Sequence, residues 1–373
     1  MYLHIIAFNV PYPANYGGVI DVFFKIKALT NLGVKVILHT FEYGRPRARA
    51  LGEFCEKIYY YRRDTSIFNQ LSFLPFIVKS RNAKALLKNI IQDDHPILFE
   101  GLHTCYFLHH PTIKHRKKLI RMHNVEWQYY AHLAKMERHF FKKIYFTVES
   151  LRLKAFERRV RYADAILSIS NSDTHYFREN YSEITTRYIP AFHVNEKVTS
   201  KVGTGNYLLF HGDLSVKDNE AAAFYILENL TQSSDYQWII AGLHPSPQLR
   251  AKILERANVI LKANLPHEEM DNLIQNAHAN VLLSFQSAGM KLKLLNALFR
   301  GRFCVVNGFM VKNTGLEKLC RIGNTPSELI DILKRLATQN FSKKEIEKRE
   351  AILTEGFSNQ RSAEQIVQII GDD

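Results

Sequence analysis

Tyr2-Leu-His-Ile-Ile-Ala-Phe8, then Asn9-Val-Pro-Tyr-Pro-Ala-Asn-Tyr-Gly-Gly18, then Val22, Phe23, Ile26 and Leu29 set the opening of the fold. The first run is short, apolar and β-rich, the second is a Pro/Gly loop, and the third repeats its apolar residues at helical spacing until Gly33. Val34 to Thr40 reads as the next buried strand, which makes a β-loop-α-β unit. Strand candidates recur at Lys57–Tyr61, Pro96–Glu100, Lys118–Met122 and Asp164–Ser170 with helical patterns between them. The spacing predicts an α/β first half on a mainly parallel sheet.

After Ile189-Pro190 comes a polar stretch, Asn195 to Gly205, without apolar periodicity. The alternation then restarts with strands at Tyr207–His211, Gln237–Ala241, near Val259, at Ala279–Phe285 and at Arg302–Val306. Helices are predicted between them at Asn219–Leu230, Pro247–Ala257, His267–Asn276 and Gly289–Arg300, and afterwards at Pro326–Thr338, Lys343–Leu353 and Asn359–Ile370. The expected architecture is two Rossmann-like doubly wound domains facing across a cleft. Their expected bounds are 1–192 and 206–373, joined by a linker over 193–205, with the last helix free to pack on the second domain or return to the first.

The length of 373 residues exceeds what one core usually holds, and a composition 46% hydrophobic and 23% charged excludes disordered and fibrous classes. Cys55, Cys105, Cys304 and Cys320 are widely spaced with no CxxC pair, and no secretory leader is recognisable, which points to a reducing cytoplasm. No run reaches the roughly 20 apolar residues of a spanning helix; Ile67 to Val78 is short and carries Asn69, Gln70 and Pro75. The net charge of +14 is concentrated: Lys114 to Arg161 holds 14 Lys and Arg against 4 Asp and Glu. Nucleic acid, an anionic membrane surface and anionic small substrates are the partner classes such charge admits.

Open α/β sheets bind ligands at the carboxyl ends of their strands, so the loops there carry the candidates. Gly17-Gly18 at a helix start offers bare amides to a phosphate, although a tight turn needs two such glycines as well. His211-Gly212-Asp213 leads through Lys217 to Asn219, giving a diphosphate amides and a cation; the plainer role of Asp218 or Asn219 is an N-cap. Gly289-Met-Lys291-Leu-Lys293 sets two lysines at a helix start, where the dipole disfavours cations unless an anion binds. His103 after one strand and His123-Asn124 after the next are candidate proton-transfer groups or hydrogen-bond donors to a sugar hydroxyl. No HExxH or similar spacing suggests a metal site, so none is expected. Phe140, Phe141, Ile144, Tyr145, Val148 and Leu151 form an apolar helical stripe flanked by Lys142, Lys143, Arg152 and Lys154, suited either to anionic lipid or to packing on the sheet.

Taken in order, Pro11-Tyr-Pro with Gly17-Gly18, Arg121-x-His123-Asn124-x-Glu126 with Tyr129-Tyr130, Phe210-His-Gly212 with Lys217 and Asn219, Ala241-Gly242, and Gly289-x-Lys291-x-Lys293 with Ala297 and Gly301 resemble the GT-B glycosyltransferases. The resemblance is to the retaining, family-four-like group that includes bacterial capsule, O-antigen and lipid-linked-glycan enzymes, and it spans nearly the whole chain. It implies an N-terminal acceptor domain, a C-terminal nucleotide-sugar domain and sugar transfer between them, with no cofactor beyond the donor. It assigns Gly17, Gly18, His211, Gly212, Asp213, Lys217, Gly289, Lys291, Lys293 and Asn296 to the donor, His103, His123, Glu126 and Lys217 to catalysis, and Tyr12, Tyr16 and Asn124 to the acceptor. The group's Glu-x7-Glu positions fall on Ala288 and Asn296, so both acidic groups are replaced here.

The function these residues imply is transfer of a sugar from a nucleotide-sugar donor to a glycan or polyprenyl-linked acceptor in bacterial surface polysaccharide synthesis. The expected location is the cytoplasm, peripheral to the inner face of the membrane through segment 114–161. The alternative is a degenerate GT-B protein that binds a glycan or partner without turnover. Nucleic-acid binding rests on charge alone, since no RRM, KH or helix-turn-helix signature is present, and is not expected.

Overall fold

The computed structural model describes residues 1–233, 236–285 and 291–372, and the chain divides into two compact units. Among the described residues, the first is Met1–Val194 with 357–372; the second is 195–285 with Lys291–Gly356.

The first unit carries seven strands: β1 (Tyr2–Ala7), β2 (Lys35–Glu42), β3 (Lys57–Arg62), β4 (Ile97–Glu100), β5 (Lys118–Met122), β6 (Ala165–Ser168) and β7 (Thr185–Tyr188). They form one parallel sheet in the order β3-β2-β1-β4-β5-β6-β7. Side chains alternate across a strand, so neighbours in β1 serve opposite layers. Ile5 joins Val22, Ile26 and Leu29 of the Gly17–Asn31 helix on one face, while Ile6 joins Phe41, Phe99 and Ile120 on the other. The Asn359–Gly371 helix packs on the Gly17–Asn31 helix and sends Ile366 and Ile370 into that first layer.

The second unit carries β8 (Tyr207–His211), β9 (Gln237–Gly242), β10 (Val259–Ala263), β11 (Ala279–Leu282), β12 (Phe303–Val306) and β13 (Arg321–Ile322), all parallel, in the order β10-β9-β8-β11-β12-β13. Phe210, Trp238, Ile240, Val281 and Val305 build its core with Ile226 and Leu227 of the Lys217–Asn229 helix. In both sheets strand order reverses beside the first strand, between β1 and β4 and between β8 and β11. That reversal opens the crevice in which doubly wound sheets bind ligands.

Asn195–Gly205, expected as a linker, is fastened along the second unit. Thr199 N–H donates to Phe299 O, Gly203 bridges Phe341, and Gly205 N–H donates to His278 Nδ1. The expected start of a helix at Gly289 lies outside the described residues, and the described helix runs Leu292–Arg300.

Candidate functional site

At the switch point of the first sheet, Phe8 follows β1, and Gly101 and His103 follow β4. Both His103 and His123, the latter directly after β5, lay their rings against Phe8, with centroids 5.5 and 5.6 Å away. Gly101 has φ +70, and a Cβ there would meet His103 Nδ1 at 2.9 Å, so glycine lets the loop turn tightly around the imidazole. His103 Nδ1 is buried without a partner, and burial with Arg81 nearby holds the ring well below its usual pKa, hence neutral at pH 7.

His123 Nε2 bonds Glu100 Oε2 at 3.1 Å, which fixes the orientation of the ring. Beneath it lies a buried ionic cluster. Lys25 reaches Asp21 Oδ2 (2.9 Å) and Glu100 Oε1 (2.6 Å), and Arg121 grips Asp21 in a fork (2.8 and 3.2 Å) while donating to Ile189 O and Pro190 O. Burial raises both carboxylates, but Arg121 and Lys25 on Asp21 and Lys25 and His123 on Glu100 hold them below the usual range. Asp21, Glu100 and His123 bring ligand-type atoms within 4.8 Å of one another, a spacing suited to a metal ion. Asp21 and Glu100 are already engaged by Lys25 and Arg121, basic side chains of the chain itself.

Glu126 opens the Glu126–Met136 helix and is buried, which pushes its carboxyl up to about 8 although Asn124 hydrogen-bonds it. It is therefore protonated at neutral pH and a hydrogen-bond donor. Arg81, also buried, donates to Phe8 O (3.0 Å), and Arg63 stacks on Tyr43 and Phe76. Neither forms an ion pair with a carboxylate among the described residues, and burial with the adjacent Arg63 brings Arg81 down to about 9. Sequence reading passes over these two arginines because they lie in a loop and a short turn with no motif.

Tyr12 and Tyr16 stay partly exposed on the loop before Gly17; Tyr12 packs on Phe23 and Tyr16 lies under Arg45, which also ties down Val10 O, Pro13 O and Asn15. A Cβ on Gly18 would stand 2.6 Å from Phe8 Cζ, so this glycine admits the ring that backs both histidines. Gly17 is the first residue of its helix.

At the second switch point, His211 ends β8 and is buried with Nε2 unpartnered; burial and then Lys293 lower it to about 3. Lys293 Nζ donates to Asn219 Oδ1 at 2.6 Å and sits 5.3 Å over the Phe210 ring. Burial brings Lys293 down to about 8, opposed by Asp218, and lowers Lys291 in the same sense. Asp218 is itself held by Ser284 Oγ and Phe285 N–H, both at 2.8 Å. Asn219 Nδ2 donates to Asp213 O, and a Cβ on Gly212 would press on that amide at 3.0 Å. Asp213 Oδ1 caps Ser215.

His211, Gly212, Asp213, Asn219, Lys291 and Lys293 are thus gathered at one strand-end site. Lys217 is exposed at the start of the Lys217–Asn229 helix, while Lys293 occupies the half-buried position beside His211. Asn296 lies one turn further along its helix, where its amide oxygen accepts from Arg300, which also binds Asn195 and Asp271. Gly289 and Ala288 lie outside the described residues.

Two doubly wound parallel sheets, each with polar groups gathered at its switch point, define a tandem Rossmann protein of the GT-B type. No family model matches the sequence. A protein of Klebsiella pneumoniae described as an uncharacterized 44.6 kDa protein in cps region is 28% identical over 331 residues, 83% of this chain and 84% of that one. Among solved structures, the α,α-trehalose-phosphate synthase (UDP-forming) of Burkholderia vietnamiensis superposes with a TM-score of 0.68 at 9% identity over all of both chains. TarM gives 0.68 at 10% over 100% of this chain and 99% of its own. Arabidopsis thaliana UGT89C1 complexed with UDP-L-rhamnose gives 0.58 at 13% over 99% and 98%. The chain therefore has the GT-B glycosyltransferase fold.

Proposed function

We propose that this protein is a glycosyltransferase that moves a sugar from a nucleotide-sugar donor to a hydroxyl of a glycan or lipid-linked acceptor in surface polysaccharide synthesis, at the inner face of the membrane. The observation that carries the reading is Lys293: a half-buried lysine at the switch point of the second sheet, paired through a neutral Asn219 and beside a second lysine, Lys291. A diphosphate supplies the negative charge such a pair calls for. The GT-B fold and the cps region named for the Klebsiella relative support the class of reaction.

In this reading the donor's anomeric C–O bond breaks, the acceptor oxygen bonds that carbon and loses its proton, and Lys291, Lys293 and the Gly212 loop stabilise charge on the departing diphosphate. Neutral His103 is the proton-accepting group of the first unit, with His123 beside it as a hydrogen-bonding group; protonated Glu126 donates a hydrogen bond to an acceptor hydroxyl. Retention of configuration and independence of metal belong to the same reading.

The test is thermal shift with UDP, GDP, dTDP, ADP and CMP, since a ligand of the folded state raises stability by mass action. One nucleotide is expected to shift the wild type, and Lys293→Met to weaken its binding tenfold or more. A response to none, or one unchanged in Lys293→Met, removes the donor site from this location. The second reading, binding without turnover, is favoured by the engagement of Asn296 with Arg300. Donor consumption dependent on an acceptor excludes it.

A further inference from the structure

The first unit leaves a surface uncovered that its core does not need. The Phe140–Glu157 helix buries Ser150, Leu153 and Phe156, yet Phe140, Phe141, Ile144, Val148 and Leu151 are exposed, Phe141 by 74%. Residues three and four apart share a helix face, so these five form one stripe. The segment before β4 repeats the pattern: Ile67, Phe68, Leu71 and Phe73 are exposed, Phe68 by 79% and Phe73 by 99%.

The two elements are fastened together. Arg152 of the helix donates to Gln70 O at 2.9 Å, and Glu149 accepts from Phe76 N–H at 2.7 Å while paired with Arg152 at 2.8 Å. The two exposed apolar sets therefore stand on elements tied to one another. Soluble monomers rarely expose contiguous apolar surface of this kind without a partner for it.

We propose that this face inserts into the interfacial layer of an anionic lipid bilayer, with Phe68 and Phe73 as the deepest side chains. This deepens the membrane part of the proposed function, and it rests on residues outside both strand-end sites. Charge selects the occupant. Lys135, Arg138, Lys142, Lys143 and Lys154 are exposed on this helix and the stretch just before it, whereas the helix's Glu149 and Glu157 are buried. A stripe of aromatic and aliphatic residues flanked by lysines is the pattern that lies in a headgroup region. A second copy is the weaker fit, because a two-fold interface would set this basic face against itself. Among the described residues no helix is long and apolar enough to cross a membrane, which agrees with a face that lies in the interface rather than spanning it.

The experiment is co-sedimentation of the full chain with phosphatidylcholine vesicles, with and without phosphatidylglycerol, across a salt series. Wild type is expected to bind the anionic vesicles, F68S/F73S to lose at least tenfold in affinity at low salt, and K142E/K143E to lose affinity together with most of the salt dependence. These side chains are exposed, so thermal unfolding and any nucleotide-induced shift should match wild type in both variants. That match separates failure of the membrane face from failure of the donor site. The proposal is overturned if wild type stays in solution with anionic vesicles, if F68S/F73S binds as wild type does, or if light scattering finds a dimer that F68S/F73S dissociates.

Discussion

A carboxyl at the first turn of a helix is ordinarily stabilised in its charged form by the dipole. Glu126 occupies that place, yet burial outweighs the dipole and the Asn124 hydrogen bond and sets it near 8. In the unfolded chain it ionises near 4.5, so between those values the folded state holds a proton that the unfolded state has released. Stability from this group therefore falls as pH rises from about 4.5 to 8 and is level above. Glu126→Gln should flatten the thermal stability over that range relative to wild type; parallel pH profiles for the two proteins would refute the assignment. His103, His123 and Glu126 are readable in sequence as polar groups after strands. The Asp21, Lys25, Glu100 and Arg121 cluster under them is not, because Asp21 and Lys25 read as ordinary polar positions of an amphipathic helix until the sheet is built around them.

At the scale of elements, apolar runs bounded by turn residues locate the central strands: Lys118–Met122 and Tyr207–His211 match residue for residue. Edge strand β7, Thr-Thr-Arg-Tyr, has one buried residue in four and carries no such run, so periodicity does not reveal it. The apolar stripe of 140–151 is legible as a stripe, but its orientation is not; periodicity gives a face, and only the assembled unit shows that Leu153 and Phe156 face inward instead. Gly242 shows how tightly the second switch point is made. A Cβ there would stand 1.8 Å from Gly212 O, an atom of the backbone that cannot rotate away. Gly242→Ala must therefore spread the ends of β8 and β9, with a cost above the roughly 1–3 kcal/mol typical of overpacking. A midpoint of denaturant unfolding close to wild type would contradict that packing.

Across the whole chain, the final helix is the element whose place sequence leaves open, since an amphipathic pattern specifies that a face is buried and not what buries it. Here it belongs to the first unit: Asn359 exchanges hydrogen bonds with His193 in both directions, and Ala363, Ile366 and Ile370 complete the layer against the Gly17–Asn31 helix. Two compact units with separate cores unfold as separate transitions unless strongly coupled. Ending the chain at Ser358 removes two buried isoleucines, each worth about 1.5–3 kcal/mol, a loss of roughly 3–6 kcal/mol against a total of about 5–15 kcal/mol for a domain. Calorimetry of the truncated protein should show one transition moved sharply down and one nearly unmoved. Proteolysis below the upper transition should then spare a fragment beginning near Asn195, with any nucleotide-induced shift confined to that upper transition. A truncated protein in which both transitions fall together would mean that the last helix stabilises the second unit as well, contrary to the contacts it makes.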